Sequence, residues 1–236
     1  MNEGPQLHGV QVLAFDVFGT VVDWYTGVAA AVTELGLPVD AGRLALAWRA
    51  RYVPTLQRVA GGELAHAPLD ELHRLMLEDC LDEFGVHDLS EDQKRHLTRA
   101  WHRLPPWPDS VEGLTRLKRR YVISTLSNGN IGLLTHMAKH AGLPWDCILS
   151  AETFGRFKPD PATYLGVARV FDVDPAHVLM VAAHHDDLTG ARRCGLPTAY
   201  VERPREFGPR GKDVAPDPAT TLHVRDLREL ADRLGC

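Results

Sequence analysis

The chain has 236 residues, 44% of them hydrophobic and 24% charged, which lies in the ordinary globular range and argues against extended disorder. A formal net charge of -5, with both signs interspersed, leaves no broad basic face of the kind a phosphate backbone needs, so nucleic acid is not an expected partner. Cys80, Cys147, Cys194 and Cys236 stand far apart, with no Cys-x-x-Cys pair and no Cys/His cluster at zinc spacing, so neither a disulfide framework nor a structural metal is expected and a reducing cytoplasm fits best.

In chain order, Met1-Asn2-Glu3-Gly4-Pro5-Gln6-Leu7-His8 lacks the basic start and apolar run of a signal peptide. No later stretch is apolar for long enough to span a bilayer, so the expectation is a soluble, unexported protein with no membrane partner. Residues 10–15 form a short apolar, β-branched-rich run that stops at Asp16 and is followed by Gly19-Thr20, which predicts a buried parallel strand breaking into a loop. In open parallel sheets the ligand crevice lies beyond the carboxyl ends of the strands, so a carboxylate at that point is placed for chemistry.

The next stretch differs. Residues 41–56, 69–84 and 90–104 carry long helical patterns with little strand signal, and the stretch closes at the stiff Leu104-Pro105-Pro106-Trp107-Pro108 joint. Because it interrupts the sheet after the first strand, residues 24–107 read as an inserted helical cap domain, with residues 1–23 and 108–236 as the core. Residues 121–126 are a second apolar run, emptying into Ser127-Asn128-Gly129-Asn130. Phe157-Lys158-Pro159-Asp160-Pro161 opens a helix over residues 162–171, with proline in its first turn. Residues 177–181 are a third run, ending in Ala182-Ala183-His184-His185-Asp186-Asp187, and residues 198–201 predict a fourth strand. Strands alternating with helices imply an α/β fold, a Rossmann-like core with a parallel sheet. Residues 203–221, rich in proline, glycine and charge, read as a surface loop before a last helix over residues 224–234.

Three polar strand ends therefore converge. Asp16, with a reference pKa of about 3.9, is ionised at neutral pH and attacks an electrophile without a base to activate it. Lys158 offsets the repulsion between Asp16 and an anionic substrate, and Ser127 and Asn128 supply donors. Each residue alone has a plainer reading: a strand-end aspartate caps helices, a lysine is usually a surface charge, and Ser-Asn-Gly is a common turn. Asp-x-Phe-Gly-Thr, Leu-Ser-Asn-Gly, Phe-Lys-Pro-Asp-Pro and a late aspartate in that order are much harder to obtain by accident.

On these motifs the chain resembles the haloacid dehalogenase superfamily over nearly its whole length, and within it the 2-haloacid dehalogenase branch. Phe15-Asp16-Val17-Phe18-Gly19-Thr20 resembles the first superfamily motif, Ser127-Asn128 the second, Lys158 the third and residues 181–187 the fourth. Phosphatases of the superfamily carry a second aspartate where this chain has Phe18, and a magnesium-binding acid where it has Ala183. Both departures suit halide displacement, because a halide leaves without a proton and a haloacid has no phosphoryl group for a metal to neutralise.

The resemblance implies no cofactor and no metal. It assigns catalysis to Asp16, Lys158 and Asp187, and contacts with a small haloacid and its halide to Val17, Phe18, Thr20, Arg49, Ser127, Asn128, Tyr164 and His184. His184-His185 departs from the best-known pattern and is closer to a subgroup whose members include enzymes that release fluoride from fluoroacetate; either His184 donates to the leaving fluoride, or both histidines are satisfied residues behind the site. Family members are often dimers, which brings in a homodimer as a partner. The implied reaction is hydrolysis of small 2-haloalkanoic acids through an aspartyl ester on Asp16. Its rivals are a magnesium-dependent phosphatase, with the metal on Asp186 or Asp187, and a catalytically weak binding protein that kept the fold.

Overall fold

The computed structural model describes Leu7 and residues 9–236; the stretch read as lacking a leader lies almost wholly outside them. Six strands form one parallel sheet in the order β3-β2-β1-β4-β5-β6, with β1 Val12–Phe15, β2 Val122–Ser127, β3 Cys147–Ser150, β4 Val178–Ala182, β5 Thr198–Val201 and β6 Leu222–Val224. The two-residue alternation of a strand divides β1 between two apolar layers. Leu13 and Phe15 enter one, Val12 and Ala14 the other, and all four are buried. Burial on both faces is why β1 and β4 read as continuous apolar runs.

Of the six α-helices between β1 and β2, the first five are α1 Trp24–Glu34, α2 Ala41–Ala50, α3 Tyr52–Ala60, α4 Leu69–Glu83 and α5 Glu91–Thr98, the last running into a 3-10 turn, Arg99–His102. The single helix expected over residues 41–56 is two, α2 and α3, joined at Arg51. That over residues 90–104 is shortened to α5 and its 3-10 turn. Beside the sheet lie α6 Ser110–Leu117, α7 Ile131–Ala141, the single turn α8 Ala151–Phe154, α9 Pro161–Phe171, α10 His185–Arg193 and α11 Leu227–Arg233. Asp160 caps α9 by accepting from Ala162 N at 2.8 Å, with Pro161 at the first helical position.

Two strands went unread in the sequence. β3 is only partly buried over its first two residues and β6 is three residues broken by His223, so neither shows a continuous apolar run, and β6 takes the start of the helix expected over residues 224–234. The stretch expected as a surface loop after β5 is a larger correction. Arg203 is buried there, donating from Nε to Thr20 O at 2.8 Å and forking onto Asp109 Oδ1 and Oδ2 at 2.8 and 2.7 Å. Asp109 also accepts Leu227 N at 2.8 Å. This bidentate, fully hydrogen-bonded pair ties the segment beneath the loop after β1, and three residues later it delivers the completely buried Glu206.

Candidate active site

The carboxyl ends of β1, β2 and β4 meet as the parallel register requires. Asp16 follows β1, with its N–H on Val181 O of β4 at 3.0 Å, Ser127 closes β2, and Ala183 and His184 follow β4. Lys158, from the loop before α9, reaches between two carboxylates, donating to Asp16 Oδ1 at 3.0 Å and to Asp187 Oδ2 at 2.5 Å. Tyr164, one turn into α9, donates to Asp187 Oδ1 at 2.7 Å. Asp16, Lys158, Tyr164 and Asp187 are thus one connected set, all bordering the same cavity.

Burial by itself raises the Asp16 pKa, but the Lys158 charge, the bond and charge of His184 and the Thr20 hydroxyl outweigh it and hold the carboxyl well below the usual range. Asp16 is therefore an anion at any ordinary pH. Asp187 goes the other way, raised by burial and by the Asp16 charge against the pull of Lys158. Burial alone would also lower Lys158, yet the two carboxylates hold its ammonium above the usual lysine range.

His184 borders the cavity, but its ring nitrogens face Asp16 Oδ2 at 3.1 Å and Glu206 Oε1 at 2.8 Å. Both ring nitrogens are thus taken up by carboxylates, and the ring is not a free donor to the cavity as expected of it. Burial would lower its pKa; the Glu206 charge and the bonds to Asp16 and Glu206 push it up to about 9 instead. Burial likewise opposes ionisation of Glu206, and His184 and Lys212 bring it down to about 2. At neutral pH the ring is an imidazolium between two carboxylates.

Thr20, expected to touch substrate, is completely buried and does not border the cavity. Its hydroxyl donates to Asp16 Oδ2 at 2.7 Å and accepts from Ala183 N at 2.9 Å, so it stands behind the Asp16 carboxylate. Val17, also expected to touch substrate, is buried too and does not border the cavity; its carbonyl accepts Val21 N at 2.9 Å and Val22 N at 3.2 Å. Ser127 and Asn128 border the cavity as expected, yet the Asn128 amide is already engaged. Its Nδ2 donates to the Tyr52 hydroxyl at 2.9 Å and its Oδ1 accepts Lys158 N at 2.7 Å, which joins α3 to the lysine loop.

Arg49, in the last turn of α2, also borders the cavity. Its guanidinium carbon lies 4.4 Å from the centroid of the Tyr52 ring and 5.8 Å from that of Trp24. Its Nε is buried without a hydrogen-bond partner, and among the described residues no carboxylate pairs with it. A guanidinium keeps its charge at any working pH, so the side chain is a cation lacking its anion.

Much of the rest of the wall is aromatic. The His73 ring stacks on Trp101 at 4.3 Å and 17°, while Phe18 and Trp48 meet Trp101 edge-on at 5.8 and 5.5 Å. Burial brings the His73 pKa down to about 3, so this imidazole is neutral. The enclosed volume is about 230 Å³, below the roughly 300–1,000 Å³ of pockets for drug-sized molecules. The space suits a small organic anion with one apolar side.

Several of these residues escaped sequence reasoning. His73 lies on the apolar stripe Leu69, Leu72, Met76 and Leu77 of α4, and Tyr52 is three residues beyond Arg49; helical spacing could have found both. Glu206 and Lys212 had no such signal. They sit among prolines, glycines and charges that resemble any solvated loop.

The sequence model of the haloacid dehalogenase-like hydrolase family matches residues 10–195, more than half the chain. The chain belongs to the haloacid dehalogenase-like hydrolases. Among curated members, (S)-2-haloacid dehalogenase 4A of Burkholderia cepacia is 30% identical over 82% of this chain and 84% of its own. Among solved structures, a defluorinating L-2-haloacid dehalogenase is 42% identical with a TM-score of 0.94, over 100% of this chain and 99% of that one. An L-2-haloacid dehalogenase from Xanthobacter autotrophicus, solved with chloropropionic acid covalently bound, is 25% identical with a TM-score of 0.81, over 96% and 98%. The fold is that of this hydrolase family.

Proposed function

We propose that the chain is a hydrolytic 2-haloacid dehalogenase that forms an aspartyl ester on Asp16 and takes haloacetates, (S)-2-haloacids and fluoroacetate. The observation that carries this reading is the pairing, across one small aromatic-walled cavity, of an unprotonated Asp16 with the unpaired guanidinium of Arg49. The named activities of the similar proteins support it, and the 42% identical neighbour named as defluorinating supports fluoroacetate in particular. Phe18 and Ala183 support it as well, since neither position carries the acid that phosphoryl transfer uses.

In this reading the substrate carboxylate lies on the backbone N–H groups after Asp16 and on Ser127. The α-carbon faces Asp16, and Arg49 holds the halogen. Asn128 acts by fixing Lys158 and Tyr52 around that anion. Asp16 displaces the halide in line, inverting the α-carbon, and the halide departs with the electron pair of the broken bond. Water activated by Asp187, whose raised pKa suits a base, then hydrolyses the ester to a 2-hydroxyacid. Residues 24–107, which carry Trp48, Arg49, Tyr52, His73 and Trp101, are the cap of this proposal, shaping the pocket over a core that supplies the nucleophile.

Ion chromatography after incubation with fluoroacetate, chloroacetate and each 2-chloropropionate enantiomer, with and without EDTA, tests the reading. Halide release insensitive to chelator is expected. Phosphate release from phosphate esters that EDTA abolishes, with no halide from any haloacid, would overturn it. In a single turnover in ¹⁸O water the first product should carry unlabelled oxygen, drawn from Asp16.

A further inference from the structure

The two oxygens of Asp16 are not equivalent. Oδ1 receives one donor, Lys158 Nζ at 3.0 Å, whereas Oδ2 receives two, Thr20 Oγ1 at 2.7 Å and His184 Nδ1 at 3.1 Å. Neither donor on Oδ2 is free to turn away. The Thr20 oxygen accepts the Ala183 N–H, which directs its hydrogen at Asp16. The imidazole is held from behind by Glu206, itself completely buried and gripped by Lys212 and by Trp24 Nε1 at 3.2 Å. With a carboxylate at each ring nitrogen, both nitrogens carry hydrogen.

We propose that Thr20 and His184 form the oxyanion hole for hydrolysis of the Asp16 ester, and that Glu206 is the positioning residue that holds His184 in that role. This rests on the dehalogenase reading and deepens it. Oδ1, with fewer donors, bonds to the α-carbon as the carbon–halogen bond breaks and its electron pair leaves on the halide. Oδ2 is then the carbonyl oxygen of the ester. Water adds to Cγ and gives its proton to Asp187, while the carbonyl electron pair moves onto Oδ2. The charge arrives where two donors already point, so no reorganisation is needed. Collapse breaks the Cγ–Oδ1 bond, and Oδ1 leaves in the 2-hydroxyacid with the proton from Asp187. Asp16 regains a carboxylate with one oxygen from water, and one proton is released to solvent for each halide.

Among the described residues, the charged groups around His184 and the cavity it borders are Asp16 after β1, Lys158 before α9, Asp186 and Asp187 on α10, Glu206 and Lys212 on the segment after β5, and Arg49 on α2. Glu206 alone among the carboxylates bonds the far nitrogen of the ring. Losing its charge therefore weakens the imidazolium without touching the halide position.

The test is Glu206→Gln in the full chain, with chloroacetate, bromoacetate and fluoroacetate, read by rapid quench and intact-protein mass. First-turnover halide release should stay within about threefold of the unsubstituted enzyme. Steady-state turnover should fall about 10- to 100-fold for all three halogens, somewhat less than the roughly 10²–10³ lost with a whole oxyanion donor. The Asp16 ester should accumulate. The pH above which activity declines should lie lower in the variant than in the unsubstituted enzyme, because the Glu206 charge is the main influence raising the His184 pKa. If Glu206→Gln does not fold, Thr20→Val carries the same expectation of accumulated ester, with Thr20→Ser restoring turnover.

A first turnover slowed as much as the steady state, with no ester detected, overturns the assignment. So does a defect confined to fluoride, which would put His184 on the leaving halide. An unsubstituted enzyme that releases no halide overturns the dehalogenase reading itself.

Discussion

Replacing Arg49 with methionine separates function from stability at one side chain. In the folded protein the guanidinium contributes its contacts with the Tyr52 and Trp24 rings at 4.4 and 5.8 Å, worth about 0.5–2 kcal/mol as cation–π attraction. Against this stands the buried, unpartnered Nε, which costs about 1–3 kcal/mol. The two nearly cancel, so Arg49→Met should leave stability within about 1 kcal/mol, and methionine refills most of the volume. Binding is different, because the substrate anion supplies the partner the guanidinium lacks. A hydrogen bond to a charged group contributes about 1.5–3 kcal/mol, so kcat/KM for chloroacetate should fall about 10- to 150-fold. Urea unfolding and steady-state halide release, run on the same preparation, check both halves. A variant that keeps kcat/KM within about threefold, or that loses more than about 2 kcal/mol of stability, would refute the reasoning, since either shows that Arg49 serves the fold.

Asp16→Asn should fold with an unchanged near-UV spectrum and lose at least about 10³-fold in turnover, because a neutral amide is no nucleophile; residual multiple-turnover halide release would exclude Asp16 as the attacking group. Asp109→Ala strands the buried Arg203 guanidinium and should cost about 3–5 kcal/mol in urea unfolding, with a loss below about 1 kcal/mol showing that the pair is relaxed in solution. The pH dependence of stability has a definite sign. The raised pKa of His184 means the folded state holds a proton the unfolded chain releases, so its contribution is complete below about 6.5 and disappears as pH climbs through about 9. Tm measured across that window should slope downward in the unsubstituted protein and flatten in His184→Gln. A parallel slope in both would place the titration elsewhere.

The sequence by itself determined four of the six strands and the polar residues at their carboxyl ends, because strand burial and loop polarity are written in a few neighbouring residues. Val12 to Asp16, Val178 to His184 and the Lys158 loop are read from such windows, and so is the absence of an acid at Phe18 and Ala183. The direction in which a side chain points was decided elsewhere. Thr20 follows Asp16 by four residues, yet the Ala183 N–H turns its hydroxyl behind the nucleophile and away from substrate. Asn128 has its amide taken up by Tyr52 and Lys158. Glu206 reaches His184 and Trp24 because a buried Arg203–Asp109 pair draws a charged, proline-rich segment under the catalytic loop. Those partners lie far apart along the chain, and no local pattern encodes a hydrogen bond between them. Asp16 could be singled out as the candidate nucleophile from its neighbours alone; which of its oxygens takes one donor, and which is held by two, exists only in the folded molecule.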